Sequence, residues 1–308
     1  LWVTCWRRGM KILPMMPKMT PRMKRLLMLM GPGVAAAGVQ QINLVIGTAI
    51  ASSEKSAIGS LNYADRLFQM PNGMIGAAFG VVLLPEITRL LRSGDEPGAN
   101  EAIGKGVYFA MLLTIPAALA LATVPAAFVG PIYDRGQFAE NQALVPVSMA
   151  LAAFALGLPA YVLVKVLQAG YFARENTKSP MKIAAVTVTV NAVASLLLFP
   201  MLGFIGIALA TSLAGWVNVA LLLFGLRGSV GLTPRRKSQL GRILVAALAM
   251  AAFLYFTFPA LAVWFAGSEW QRIAAMLLLV TGGAVVYGAL AVLLKATSLA
   301  ELKAGFRR

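Results

Sequence analysis

"SLNYADRLFQMPNGMIGAAFGVVLLPEI", residues 60–87, is the stretch on which the reading of this chain turns. Most of it is apolar enough for a bilayer-crossing helix, yet Asp65 and Arg66 stand about one turn inside its start. Ions in hydrocarbon are costly, so ionisable residues within a span face the bundle interior or a water-filled cavity. Wound at 3.6 residues per turn, Asn62, Asp65, Arg66, Gln69 and Asn72 share an arc of about 120°, and the opposite side carries Leu, Met, Ile and Ala. Such a stripe predicts a cavity-lining helix, in which Asp65 pairs with Arg66 and fixes the direction of its fork. The alternative is an ion pair that only locks helices together, a role for which the three amides are not needed.

Composition sets the class. The 308 residues are 59% hydrophobic and 12% charged, where a soluble domain carries about 25% charged residues. A helix needs about 20 residues to cross the hydrocarbon core, and apolar runs of that length predict eight spans. They fall at 33–51, 61–85, 106–130, 142–167, 183–199, 203–226, 243–265 and 273–294. The fold class is therefore an all-α, polytopic membrane protein. No run alternates with the two-residue period of a membrane barrel. Only Pro200 and Gly203 separate the fifth span from the sixth.

The net charge of +16 is topological. Of the 27 lysines and arginines, 23 fall on one side of these spans, counting Lys165 at the inner end of the fourth, three (Lys55, Arg135, Arg272) on the other, and Arg66 within a span. The positive-inside rule then puts both chain ends in the cytoplasm, and the basic side will attract anionic membrane lipids. No nucleic-acid motif is present, and no nucleic-acid partner is expected.

Four regions follow. Residues 1–31 form a basic cytoplasmic or interfacial linker, in which "PRMKRLLMLM" has the character of an amphipathic interfacial helix. Residues 32–227 hold six spans, 228–242 a basic linker, and 243–308 two further spans and a basic tail. The chain starts at Leu1, with "LWV" resembling the end of an apolar helix, and reads as a fragment or an internal lobe. Between spans two and three, Pro85 and "SGDEPG" predict a short surface helix and its end.

The side chains argue against an enzyme. There is no histidine, the single cysteine is Cys5, and the eleven acids lie almost entirely in loops, Asp65 being the one well inside a span. This leaves no nucleophile with its base, no paired carboxylates and no metal cage, so no cofactor or metal is expected. A transporter of an anionic substrate gives Arg66 a task, since a guanidinium binds phosphate bidentately. In the preceding span Gln40, Asn43 and Gly47, and Gln41 with Thr48, share helix faces; Gln41 is a candidate cavity residue, though interhelical hydrogen bonds would also account for such amides. Lys165 is either a cavity residue or an interfacial anchor beside Arg174, Lys178 and Lys182, its stem snorkelling to the membrane surface. Asn191 and Asn218 read as helix-joining amides, and Pro116, Pro125 and Pro159 as bends.

Four stretches carry a resemblance: "GPGVAAAGVQQINLVIGTAIAS", "LNYADRLFQMPNGMIGAAFGVVLLPEITRL", "YDRGQF" and "VKVLQAGYFARENTKSPMKIA". In this order they resemble the C-terminal part of the MurJ (MviN) lipid II flippases, members of the multidrug/oligosaccharidyl-lipid/polysaccharide exporter superfamily. The resemblance covers about 30–308 and implies helices seven to fourteen: a six-helix C-terminal lobe and two extra helices whose groove holds the lipid tail. It implies transport of lipid II, the undecaprenyl-pyrophosphate-linked peptidoglycan precursor, between leaflets of the bacterial cytoplasmic membrane by alternating access. Arg66 matches the family's required C-lobe arginine and Asp65 its neighbouring acid, while Gln69 stands where some members have glutamate. Some members hold sodium through a carboxylate in the seventh helix; residues 33–51 have none. The resemblance also implies an N-terminal lobe as partner, without which this chain would be inactive. The alternative is another lipid-linked oligosaccharide flippase or a drug exporter of the same superfamily.

Overall fold

The computed structural model describes Pro21, Met23, Lys24, residues 45–54 and residues 56–297. Of the predicted first span, only 45–51 is described, and it is helical. Gln41, with Gln40 and Asn43, lies outside the described residues, as does the interfacial-helix reading of 1–31 apart from Pro21, Met23 and Lys24. The helices are α1 (Ala57–Arg92), α2 (Glu96–Thr123), α3 (Pro125–Tyr133), α4 (Gln137–Glu140), α5 (Leu144–Ala155), α6 (Leu158–Ala173), α7 (Lys178–Leu202), α8 (Phe204–Gly225), α9 (Pro234–Ala260), α10 (Ala262–Phe265) and α11 (Glu269–Leu293). Among the described residues, seven helical segments are long and apolar enough to cross a membrane, α5 and α6 counting as one. They correspond to predicted spans two to eight. The molecule is a multi-pass, all-helical membrane protein.

Local chemistry sets the helix ends. Asp95 caps α2 by accepting from the Gly98 N–H at 2.8 Å, Thr233 precedes Pro234 at the start of α9, and Ser268 with Gln271 forms a capping box on α11. Each supplies acceptors for amides that the first turn leaves unpaired. Proline acts by position. Pro125 and Pro159 start α3 and α6, just after breaks at Val124 and at Leu156–Gly157. Pro116 lies inside an unbroken α2. Pro85 corrects the sequence reading: α1 runs through it to Arg92 rather than restarting as a surface helix. Ile87, two residues beyond, is fully buried beside Leu83, so packing holds the helix where the proline removes a hydrogen bond.

Two apolar clusters form the centre. At one end of the bundle Leu83, Ile87, Ile103, Val107, Val166, Leu167 and Leu222 join α1, α2, α6 and α8. At the other, Leu67, Phe68, Val147, Leu151, Phe154 and Leu158 join α1, α5 and α6. Lipid tails are as apolar as these side chains, so close packing and polar contacts hold the helices together. The pairing of α7 with α8 shows this, since α7 buries only Pro180, Asn191 and Ser195. Asn191 donates to Thr211 Oγ1 at 3.3 Å and accepts from Ser195 Oγ at 3.0 Å. Asn191 therefore joins helices, as its sequence setting suggested; the Asn218 Oδ1 is buried without a partner among the described residues.

Helices α9 and α11 pack on each other and on α2 and α3. Ile243 and Ala247 meet Tyr108 and Leu112, while Met250, Leu254 and Leu279 meet Val124 and Ala127. Both ends are pinned. Arg272 Nη1 donates to the Asp134 backbone oxygen at 3.1 Å and to its Oδ2 at 3.3 Å. At the opposite, basic end, the Tyr108 hydroxyl donates to Ala296 O at 2.7 Å. The 226–233 connection is pressed onto α2, its Gly231 N–H donating to Asn100 O at 2.9 Å.

Glu54 gives a first measurable consequence. Its Oε2 accepts from the Phe204 N–H at 3.0 Å, where Gly203 reverses the chain into α8. A carboxylate at a helix N-terminus satisfies an orphan amide and the helix dipole together, worth about 1 kcal/mol. Glu54→Ala is expected to lower the melting temperature by a few degrees in detergent, read by intrinsic fluorescence. Glu54→Gln, which keeps an acceptor, should recover part of that loss.

Candidate functional site

Helix α1 presents the polar stripe, and its neighbours divide it in two. Phe68, Asn72 and Gly76 form an i, i+4, i+8 row against α6. The Phe68 ring meets Tyr161 edge-on at 5.5 Å, and one turn further along both helices Lys165 Nζ donates to Asn72 O at 3.0 Å and to Asn72 Oδ1 at 3.1 Å. Asn62, Arg66 and Gln69 lie on the exposed edge, and Asp65 is half-buried between the two edges. Beside Asn62, the Tyr63 ring meets Tyr133 tilted at 4.9 Å and Phe138 edge-on at 5.3 Å, so the "YDRGQF" turn closes that end of the face.

Two sequence readings are corrected. Asp65 does not pair with Arg66; its Oδ2 accepts from Gln69 Nε2. Successive residues diverge by about 100° on a helix, whereas positions four apart stack, so the i+4 amide wins over the adjacent guanidinium. Lys165 does not snorkel towards the basic end with Arg174, Lys178 and Lys182, but turns into α1. Glycine permits this: an ideal Cβ at Gly76 would lie 2.5 Å from both Lys165 Nζ and Cδ. Nothing in the composition of α6 announces that contact. The signal was the pair of matching rows, Tyr161–Lys165 and Phe68–Asn72–Gly76.

Arg66 is thus an exposed guanidinium within a membrane-length helix, with no hydrogen bond or ion pair among the described residues. An arginine so placed offers a planar fork of donors to a carboxylate or phosphate. Elsewhere, a groove of about 470 Å³ runs between α2, the α5–α6 break, α8 and α9. It is lined by apolar residues including Met111, Ile115, Leu119, Leu156, Trp216 and Leu244. The Trp216 indole N–H is spent on the Leu156 carbonyl at 3.0 Å, so the groove is suited to hydrocarbon rather than to a headgroup.

These features define a polytopic helical membrane protein with an open, cationic helix face and a separate apolar groove. The sequence model of the lipid II flippase MurJ family matches residues 2–279, and this chain belongs to that family. A probable lipid II flippase MurJ of Rhizobium tropici is 49% identical over 206 residues, covering 67% of this chain and 38% of the relative. Its counterpart in Rhizobium meliloti is 44% identical over 258 residues, covering 83% of this chain and 48% of the relative. The structure of a lipid II flippase MurJ in an inward closed conformation matches with a TM-score of 0.72 at 25% identity, over 92% of this chain and 57% of that one. The chain spans less than half the length of these two curated relatives.

Proposed function

We propose that this chain is the C-terminal lobe and two-helix appendage of a flippase that carries lipid II across the bacterial cytoplasmic membrane. The observation that carries this reading is the exposed Arg66 on α1, without a hydrogen bond or ion pair among the described residues, in a chain whose family is one of lipid II flippases. In this reading residues 32–227 form the lobe, 228–242 the connection and 243–308 the appendage. The open face of α1 closes against a second lobe of the kind that the length of the relatives implies. Arg66 draws in the pyrophosphate, Asn62 and Gln69 offer hydrogen bonds to the headgroup, and Asp65, held by Gln69, keeps the local charge balanced. Lys165 and Asn72 line the far edge, Gln41, outside the described residues, is kept as a further candidate for the cavity, and the apolar groove with α9 and α11 accommodates the prenyl tail. The basic end, with Arg89, Arg92, Arg174, Arg227 and Arg235 among its residues, lies on the cytoplasmic side against anionic lipids.

A chimera tests the function. The matching part of the Rhizobium meliloti relative is replaced by this chain and asked to sustain cells depleted of their own flippase. Growth is expected; lysis despite normal membrane insertion would refute the assignment. The open face has a separate test in the Cys5→Ser background. Arg66→Cys and Gln69→Cys should react rapidly with a water-soluble thiol reagent, and Ala64→Cys, at a fully buried position, should not. Equal protection at all three would show that the stripe never meets water.

A further inference from the structure

Among the described residues, the Lys165 ammonium has no counter-ion. Its ammonium is met by the carbonyl and the amide oxygen of Asn72 and makes no ion pair among the described residues. The nearest acid along the facing helix, Asp65, is occupied by Gln69. Ionisable groups within spans ordinarily pair with one another; here dipoles stand in for an anion, and a hydrogen bond between two ions is stronger than one from an ion to a neutral oxygen. The contact falls where α1 is easiest to move. Pro71 removes a hydrogen bond one residue before Asn72, and Gly73, Gly76 and Gly80 follow within three turns. Gly76 alone among these three meets a neighbour, the Lys165 side chain.

The geometry points to Lys165 as an exchangeable tie: it fastens the Pro71–Gly80 stretch of α1 to α6 through Asn72, and a pyrophosphate anion entering beside Arg66 takes Lys165 over and releases α1. This rests on the proposed anion site and adds to it the step by which occupancy becomes helix movement. The two contacts compete for one ammonium, so whatever frees Lys165 from Asn72 must strengthen anion binding, and whatever removes the ammonium must weaken it.

Substitution separates these effects. Gly76→Ala places a methyl where the flexible end of Lys165 lies, evicting the side chain while keeping its charge, and alanine suits a helix interior. Lys165→Met removes the charge and keeps the bulk. The chain is reconstituted in nanodiscs with spin labels on Met74→Cys and Phe172→Cys, both exposed, in the Cys5→Ser background. Equilibrium binding of radiolabelled inorganic pyrophosphate is measured in parallel. Both Gly76→Ala and Lys165→Met are expected to shift the label distance before any anion is added, to the value the unsubstituted protein reaches only with pyrophosphate. Affinity should move in opposite directions, roughly tenfold tighter in Gly76→Ala and roughly tenfold weaker in Lys165→Met. Undecaprenyl pyrophosphate, but not undecaprenol, should compete the label off if the anion is a lipid headgroup; failure to compete leaves the exchange supported with a free anion as its trigger. Affinities that move together, or label distances that do not move, overturn the exchange. Loss of binding in Arg66→Ala beside unchanged Gly76→Ala and Lys165→Met would keep the anion site and reject the tie. Absence of pyrophosphate binding in the unsubstituted protein rejects both.

Discussion

Arg66→Ala in the chimera is expected to abolish rescue of flippase-depleted cells while leaving the protein level in the membrane unchanged. The side chain is exposed and makes no hydrogen bond or ion pair among the described residues, so its removal leaves no buried partner unpaired and should cost little stability. On the proposed function, what disappears is a charge-assisted, bidentate contact to the headgroup, and the expected loss in affinity for lipid II is roughly ten- to hundredfold. Arg66→Lys should rescue partly, because an ammonium keeps the charge and loses the fork. The separation of stability from function is the diagnostic part. A fall in melting temperature as large as the fall in activity would make Arg66 a packing residue, and full growth of Arg66→Ala cells would remove it from the transport path.

Gly104→Ala is expected to give the largest loss of stability from a single methyl group. An ideal Cβ there would sit 2.7 Å from the Gly231 carbonyl carbon and closer still to its oxygen. Both atoms are backbone, and neighbouring contacts fix them. Gly231 N–H donates to Asn100 O at 2.9 Å, Arg236 Nη1 donates to Gly231 O at 3.4 Å, and Arg174 Nη2 donates to Asn100 Oδ1 at 2.9 Å. Either the connection lifts off α2, breaking this set, or the methyl is forced in at the usual overpacking cost of about 1–3 kcal/mol. The expected fall in melting temperature is roughly 2–4 °C for each kcal/mol. Trypsin should also cut sooner at Arg235 and Arg236. Gly288→Ala is the control, since nothing lies within 4 Å of a Cβ there; it should be neutral or slightly stabilising. Equal melting curves for the two variants would show that the connection is not held on α2.

Much of the molecule is legible in its sequence. Spans are readable because a bilayer-crossing helix needs an apolar run of fixed length whatever packs beside it, and the one-sided stripe of Asn62, Asp65, Arg66, Gln69 and Asn72 follows from helical period alone. Proline was legible only in part. Pro125 and Pro159 mark real breaks and Pro85 does not, because the burial of Leu83 and Ile87 against α2 and α6 decides whether a helix survives a lost hydrogen bond.

The sequence by itself determined that this is an all-helical membrane protein with a charged face on α1 and an asymmetry of basic residues. Hydropathy, period and charge counts are properties of single segments. Only the tertiary structure decided that Asp65 goes to Gln69, that Lys165 goes to Asn72 across the Gly76 gap, and that Arg66 keeps an open fork among the described residues. Those outcomes depend on how closely two helices approach and which side chain has the shorter reach, a competition settled between segments rather than within one.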